Sequence, residues 1–310
     1  MSEPTAFPWQ RFIAPRFWGV WLALALLRIS VLLPYRAQLG VGRIIGGIGY
    51  WLLPSRRRIA RVNIDLCFPE LGNDAQSALT REHFEALGIG LIEAAVCWWG
   101  DARTLHGRVV AEGLQHLEEA ERDGVPVILL SAHFTTLEIG GRLLGLYAPF
   151  HLMYRRNDNP LLEEVVRRNR VRHFERAIPR DDVKDMLRSL RDGHAVWYAP
   201  DQNYRGKHSA PIPFFGHPVP TNTSTTRLAR ISGARVIPFF VFRRPGTTGY
   251  RLVLEQPLTG FPTDNPFADT VRINELLERQ IRIAPEQYLW IHRRFKTPHD
   301  MDDDPYQAAL

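Results

Sequence analysis

The rhythm of hydrophobic and polar positions changes near residue 105. Before that point, Asp74 to Trp99 sets Leu79, Phe84, Leu87, Leu91, Ile92 and Val96 on one face and predicts one long amphipathic helix. Leu39 to Leu53 is apolar and Gly-rich, and its Gly42 and Gly46 have the GxxxG spacing of helices packed at or near a membrane. After residue 105, short apolar runs alternate with helix-length stretches. Strands are expected at Arg108–Ala111, Val127–Leu130, His151–Tyr154, Ala195–Ala199, Val236–Phe242 and Arg251–Glu255. Helices are expected at Gln115–Arg122, Leu137–Leu146, Pro160–Val171, Asp181–Arg191, Thr223–Ile231 and Asn265–Ile283, with Gly233 closing the fifth. Alternation of this kind builds βαβ units, so the fold expected is α/β, a single mostly parallel central sheet flanked by helices. The last two strands, joined by Pro245-Gly-Thr-Thr-Gly249, read as an antiparallel hairpin.

Phe17 to Leu33 is nearly continuous apolar sequence, interrupted by Arg28 and Ser30 and preceded by Arg11 and Arg16. Its length is at the lower edge of what crosses a bilayer, where a charge near the middle is costly. Three readings compete. A cleaved signal peptide has a candidate site at Ala23-Leu-Ala25, but the apolar run continues past it. The second is a buried core helix. The third, a membrane anchor or interfacial helix, is favoured by its neighbours. Trp9, Trp18 and Trp21 suit a headgroup belt, and Arg56, Arg57, Arg58 and Arg61 suit anionic lipid. The chain thus divides into an anchor or interfacial helix (1–35), a helical membrane-proximal region (36–104) and an α/β core (105–310).

Composition narrows the partners. The chain has 310 residues, enough for one substantial core. Two cysteines make neither a disulfide framework nor a thiolate metal site, which fits a reducing, cytosol-facing location. Lys plus Arg number 39 against 33 Asp plus Glu, a net charge of +6 that favours anionic partners. No nucleic-acid-binding motif accompanies the charge, so nucleic acid is not expected among them.

The candidate chemistry centres on His133 and Glu138, in Val127-Ile-Leu-Leu-Ser-Ala-His133-Phe-Thr-Thr-Leu-Glu138. Positions five apart on a helix diverge by about 140°, and on a strand they face opposite sides. The two side chains meet only if a strand turns into a helix between them. Val127–Leu130 reads as a buried strand, with Thr135 and Thr136 as N-caps of the helix that follows. Carboxyl ends of strands are where ligands bind in α/β sheets. Two further strands end in polar sequence, Tyr154-Arg-Arg-Asn-Asp-Asn-Pro160 and Ala199-Pro-Asp-Gln-Asn-Tyr-Arg205, and a right-handed parallel topology brings all three to one edge. Either segment also reads as an ordinary capping turn or solvated loop.

No G-x-S-x-G elbow is present, Ser131 lies too close to His133 to be served by it, and the cysteines lie elsewhere. No H-E-x-x-H or other zinc spacing occurs, so no metal is expected. A base with no protein nucleophile implies that the substrate supplies the attacking hydroxyl. His133 is then the general base, with Glu138 fixing its tautomer. Arg155 or Arg156 is placed to hold an anionic group.

These residues sit in blocks that resemble the late acyltransferases of lipid A biosynthesis, within the acyltransferase superfamily marked by His-x₄-Asp/Glu. The blocks are Asn63-Ile-Asp-Leu-Cys67-Phe-Pro-Glu70, His133 to Glu138, Tyr154 to Pro160, Val196-Trp-Tyr-Ala-Pro-Asp201 and Pro285-Glu-Gln-Tyr-Leu-Trp290-Ile-His-Arg-Arg-Phe-Lys296. Asn157-Asp-Asn-Pro160 is most similar to the lauroyl branch. Two departures are Ser131-Ala132, where Gly is common, and Lys296-Thr297-Pro298, which lacks an Arg usual before the Pro. The resemblance implies transfer of a fatty acyl chain, lauroyl by preference, from acyl carrier protein to a hydroxyacyl chain of Kdo-modified lipid IVA. It implies no cofactor beyond acyl-acyl carrier protein as co-substrate. It also implies the cell inner membrane, with the active site facing the cytoplasm. His133 and Glu138 are the expected catalytic residues, and Arg155, Asn157, Asp201 and Arg293 the expected substrate-binding ones.

His292, Arg294 and Lys296, and the free N–H groups opening the helix after Pro220-Thr-Asn-Thr-Ser-Thr-Thr226, are further candidates for anionic groups. A solvated C-terminal face accounts for the former, and ordinary capping for the latter, equally well. The rival readings are a superfamily member using acyl-CoA and a glycerophosphate or other glycolipid, and a non-catalytic membrane-surface protein whose dyad is structural.

Overall fold

The computed structural model describes residues 7–296 and 304–307, and of residues 102, 103, 172 and 173 the backbone alone. The departure at Thr297-Pro298 lies outside them. Short 3-10 turns lead into α1 (Trp18–Ser30), α2 (Tyr35–Leu52), α3 (Pro54–Cys67), α4 (Asn73–Trp99) and α5 (Ala102–His106). Then follow β1 (Val109–Glu112), α6 (Gln115–Arg122), β2 (Val127–Leu130), α7 (Leu137–Leu144), β3 (His151–Tyr154), α8 (Pro160–His173), β4 (Arg176–Pro179), α9 (Val183–Arg191) and β5 (Ala195–Tyr198). The chain continues through β6 (Ser209–Phe214), β7 (His217–Asn222), α10 (Ser224–Ser232), β8 (Arg235–Arg243), β9 (Tyr250–Leu254) and α11 (Pro266–Ile283).

Seven strands form the central sheet in the order β1-β9-β8-β2-β5-β3-β4. Neighbours are parallel except β8 and β9, which form the expected antiparallel hairpin. Helices cover both faces, and the strand sequences show why. Ile128 and Leu130 enter one apolar cluster while Val127 and Leu129 enter the other. Phe240 and Phe242 divide from Phe239 and Val241 in the same way. A strand apolar at every position is therefore sandwiched between two layers, its alternate residues facing opposite cores.

Three strands escape the periodicity. Arg176-Ala-Ile-Pro179 is a four-residue edge strand with a polar start and a terminal proline. In β6 and β7 prolines recur at every second position, a composition that argues against strands. Yet Pro211 pairs with Pro220 and Pro213 with Pro218, at positions where no ladder N–H is required. Between them Ile212, Phe214, Val219 and Thr221 face the core.

The GxxxG spacing of α2 has a partner inside the protein. Gly42 and Gly46 press against Gly88 of α4, and a Cβ on Gly88 would lie 2.8 Å from Gly46 Cα and overlap the Gly42 carbonyl. Gly88→Ala gains about 1 kcal/mol of helix propensity but must force two helices apart, a strain of about 1–3 kcal/mol or more. The overlap is with backbone, which cannot rotate away, so a net loss of stability is expected in thermal unfolding. An unchanged or raised midpoint would mean that α2 and α4 separate freely.

Among the described residues no helix is long and apolar enough to cross a membrane. At 13 residues, α1 spans about 20 Å against a hydrocarbon core of about 30 Å.

Candidate active site

β2, β5 and β3 are adjacent and parallel, so the segments leaving their carboxyl ends emerge at one edge of the sheet, as expected. β2 is followed by Ser131-Ala132-His133, its pairing with β5 extended by a bond from Ser131 N to the Tyr198 carbonyl (3.0 Å). β5 is followed by Ala199-Pro200-Asp201.

These two segments meet. The carboxylate of Asp201 accepts from His133 Nδ1 (2.6 Å) through Oδ1 and from the His133 backbone N–H (2.9 Å) through Oδ2. One buried carboxylate thus fixes both the backbone and the ring of the same residue. Asp201 is 1% exposed and the His133 side chain 25%. Burial alone would raise the Asp201 pKa, but the charge and hydrogen bonds of His133, with Arg294 nearby, outweigh it and bring the value down to about 2. Burial likewise opposes charging of His133, but the Asp201 charge and hydrogen bond prevail and raise its pKa above the ordinary histidine value. An ionised carboxylate only accepts, so Nδ1 carries the hydrogen. In neutral imidazole the lone pair then belongs to Nε2, which has no hydrogen-bond partner among the described residues. That is the geometry of a base held in one tautomer.

Glu138 stands elsewhere. It lies in the first turn of α7 and takes an ion pair from Arg170 of α8, whose guanidinium rests 5.3 Å from the Tyr154 ring. Among the described residues no hydrogen bond or ion pair joins it to His133. The contact with the imidazole expected of Glu138 is made instead by Asp201, which the sequence places only among the substrate-binding residues. The physical reason is the loop between them. After His133 the chain does not turn directly into the helix but forms a β-bridge, Phe134 to Tyr288. Leu289 N donates to the His133 carbonyl (2.9 Å) and Thr135 N to the Gln287 carbonyl (2.7 Å). Thr136 takes the expected N-cap position of α7, but neither threonine side chain caps it: Thr136 Oγ1 donates to the Val241 carbonyl (2.6 Å), and Thr135 Oγ1 accepts from Arg243 (2.8 Å).

Arg243 belongs to a buried network whose members lie far apart in sequence. Its guanidinium grips Glu93 of α4 through Nε (2.7 Å) and Nη2 (2.6 Å) while reaching Thr135. Tyr250 OH donates to the same Glu93 carboxylate (2.7 Å), and the Tyr35 hydroxyl joins Tyr250. A lone Glu inside Gly88-Ile-Gly-Leu-Ile-Glu-Ala-Ala-Val-Cys-Trp-Trp99 was the available signal.

The remaining candidates divide between surface and scaffold. Arg155 is exposed and paired with Asp158 (2.9 Å). The Asn157 backbone and side-chain amides both donate to Glu163 (2.8 and 3.3 Å), while Asn159 caps α8. Arg293 is half-buried over the Tyr306 ring. Arg294 is not on a solvated face: it is buried and donates to the Pro220 carbonyl (2.9 Å) and Thr221 Oγ1 (2.7 Å). Pro220 to Asn222 ends a strand, and Asn222 Oδ1 takes the Ser224 N–H (3.0 Å) that an anion would need. Asn63, buried in α3, donates to the Trp290 and His292 carbonyls and accepts from Tyr306, so the Asn63 block holds the C-terminal block against the His133 loop. His292 Nδ1 is buried without a partner, and its pKa is pushed down to about 4 by burial, against the pull of Asp201 and with His133, Arg294 and Arg56 adding to the fall.

Comparison with known proteins gives a consistent answer. The family model for bacterial lipid A biosynthesis acyltransferases matches residues 7–297. The chain is 39% identical over 290 residues to the lipid A biosynthesis palmitoleoyltransferase of Escherichia coli, covering 93% of this chain and 94% of that one. It is 36% identical over 285 residues to the lauroyltransferase of the same organism, covering 91% and 93%. It is 28% identical over 302 residues to the myristoyltransferase, covering 96% and 92%.

Proposed function

Because the chain belongs to the bacterial lipid A biosynthesis acyltransferase family, we propose that it moves a fatty acyl chain, lauroyl by preference, from acyl carrier protein to a hydroxyacyl chain of Kdo-modified lipid IVA. The observation that carries the mechanism is the His133–Asp201 pair, with Nε2 unpartnered and no Ser, Thr or Cys side chain bonded to it among the described residues. Cys67 and Cys97 are free but buried. With no nucleophile bonded to the base among the described residues, the acyl group passes in one displacement.

Nε2 of His133 removes the proton from the acceptor hydroxyl as its oxygen attacks the thioester carbonyl. Asp201 stabilises the imidazolium. The tetrahedral intermediate collapses, the C–S bond breaks, and the departing thiolate takes the proton from Nε2. Ester and free thiol leave, and the base is regenerated. The Arg170–Glu138 pair lies at the neighbouring strand end, and Arg155 offers its charge to the phosphates and carboxylates of the acceptor. His292, neutral and with no side-chain hydrogen bond among the described residues, offers one beside the dyad.

The membrane is the proposed location, with the site on its cytoplasmic face. Trp18, Leu22, Leu26 and Ile29 form one face of α1, and Ile44, Ile48, Trp51 and Leu52 lie close together on α2, every one more than half exposed. An apolar surface of this extent beside Arg28, Arg43, Arg56 and Arg57 suits the interfacial depth of an anionic bilayer better than water.

His133→Ala is expected to abolish transfer while the protein stays folded and membrane-bound. Mass spectrometry of lipid A from cells lacking the gene and re-expressing each form checks this. Retained turnover with a verified fold would sink the mechanism. In the same cells, Leu22→Asp with Leu26→Asp should move the protein from the inner-membrane to the soluble fraction, and an unchanged distribution would refute the interfacial placement. Purified enzyme offered acyl-acyl carrier protein or acyl-CoA decides the donor, acyl-CoA preference being the contrary result.

A further inference from the structure

The opposite edge of the sheet carries a second cluster of chemical side chains. His151 is the first residue of β3, Glu175 immediately precedes β4, and His194 immediately precedes β5. These strands are adjacent and parallel in the order β5-β3-β4, so their amino ends coincide. The strand length of four residues puts the cluster on the order of 13 Å from the edge that bears His133.

We propose that His151, Glu175 and His194 form a binding site for a divalent transition metal of the Zn²⁺ class. His151 Nε2 lies 3.4 Å and His194 Nδ1 3.6 Å from Glu175 Oε2, and all three donor atoms lie within 4.8 Å of one another. Tetrahedral Zn²⁺ with bonds of about 2.0–2.1 Å sets its ligands about 3.3–3.4 Å apart. The two distances to Glu175 are close to that spacing, and the two histidine nitrogens lie within 4.8 Å of each other. The two imidazoles stack with centroids 4.2 Å apart, and His194, partly exposed, has freedom to turn its Nδ1 toward the common point.

A second observation points the same way. His151 is 3% exposed, and among the described residues neither ring nitrogen makes a hydrogen bond, Nε2 having only its 3.4 Å contact with Glu175. Buried polar atoms left without partners are costly. Burial and the neighbouring His194 push its pKa below the ordinary value, Glu175 pulling the other way and Arg176 adding to the fall, which favours the neutral ligand form over a charged pair with Glu175. Arg176, a competing positive charge, is engaged by Asp185 (2.8 Å). Two nitrogen donors and one carboxylate select Zn²⁺, Ni²⁺ or Cu²⁺ over Mg²⁺ or Ca²⁺. Glu175 also lines a cleft of about 310 Å³ with Pro149, Phe150 and Phe174, so the carboxylate side of the cluster is open to solvent. The ligands are separated by 24 and 19 residues in sequence, so no short motif betrays them. Its role is a clip across three strands whose far ends carry Arg155 and Asp201.

The test uses the full-length enzyme in detergent, stripped with a chelator and titrated with Zn²⁺ by calorimetry. One equivalent should bind and raise the unfolding temperature, with Mg²⁺ failing to compete. Co²⁺ in its place should give the visible absorption of a low-coordinate site. Glu175→Gln and His151→Gln should each weaken binding about tenfold or more, while His116→Gln, a histidine away from the cluster, should not. Glu175 is half exposed, so its variant stays informative if His151→Gln fails to fold. Absence of saturable binding, or binding that survives Glu175→Gln, overturns the site.

Discussion

Asp201→Asn is expected to lower turnover by about three to four orders of magnitude, the scale seen when a carboxylate that holds a catalytic imidazole is made neutral. Two bonds are at stake, from His133 N and from Nδ1. An asparagine that keeps its oxygen toward one of them turns its NH₂ toward the other. If the NH₂ faces Nδ1, the hydrogen moves to Nε2 and the base is lost. If it faces the backbone N–H, the loop is pushed outward. The pH profile separates this from a fold defect. His133 has a raised pKa because the Asp201 charge outweighs burial, so wild-type rate falls as pH drops through a value above that of ordinary histidine. Asp201→Asn removes the raising charge and leaves burial, so the acid limb moves to lower pH while the plateau collapses. Glu138→Gln frees Arg170 but leaves the limb in place. A limb that moves in Glu138→Gln and not in Asp201→Asn would return the orienting role to Glu138.

That reversal of partners marks what the chain discloses and what it conceals. His133 was legible because it follows a buried strand, and the edge was legible because three such strands end in polar sequence. Glu138 was a tempting partner because it is near in sequence. Asp201 is 68 residues away, and its claim depends on β5 lying beside β2 rather than on any local spacing. The bridge between Phe134 and Tyr288 is of the same kind: it diverts the loop before α7 begins, and no count of intervening residues reveals it. The C-terminal block was visible as a motif, but its basic residues suggested a surface. Arg294 is instead buried under β7, and the block's backbone clamps the catalytic loop. Strands that violate propensity, the proline-rich β6 and β7, were legible only through their pairing.

Glu93→Gln should cost about 3–5 kcal/mol of stability, because it leaves the Arg243 guanidinium charged and without its carboxylate in a buried site. The Glu93 side chain is 1% exposed and that of Arg243 13%, so water can do little to replace the lost bonds. The carboxylate also anchors Tyr250. Such a loss alone would not distinguish a structural pair from one that positions chemistry. The double variant Glu93→Leu with Arg243→Met makes the distinction. It removes both charges and fills similar space, so unfolding in detergent should recover most of the stability lost in the single variant. Activity should not recover with it. Arg243 is the donor to both Thr135 Oγ1 and the Thr135 carbonyl, two residues after His133, and methionine supplies neither bond. A loop free to shift by a fraction of an ångström misaligns Nε2 with the hydroxyl it must deprotonate, which lowers kcat with little change in KM. Stability and kcat restored together would assign the network to the fold alone. A stable double variant with depressed kcat would identify Arg243 as the residue through which α4 sets the position of the base.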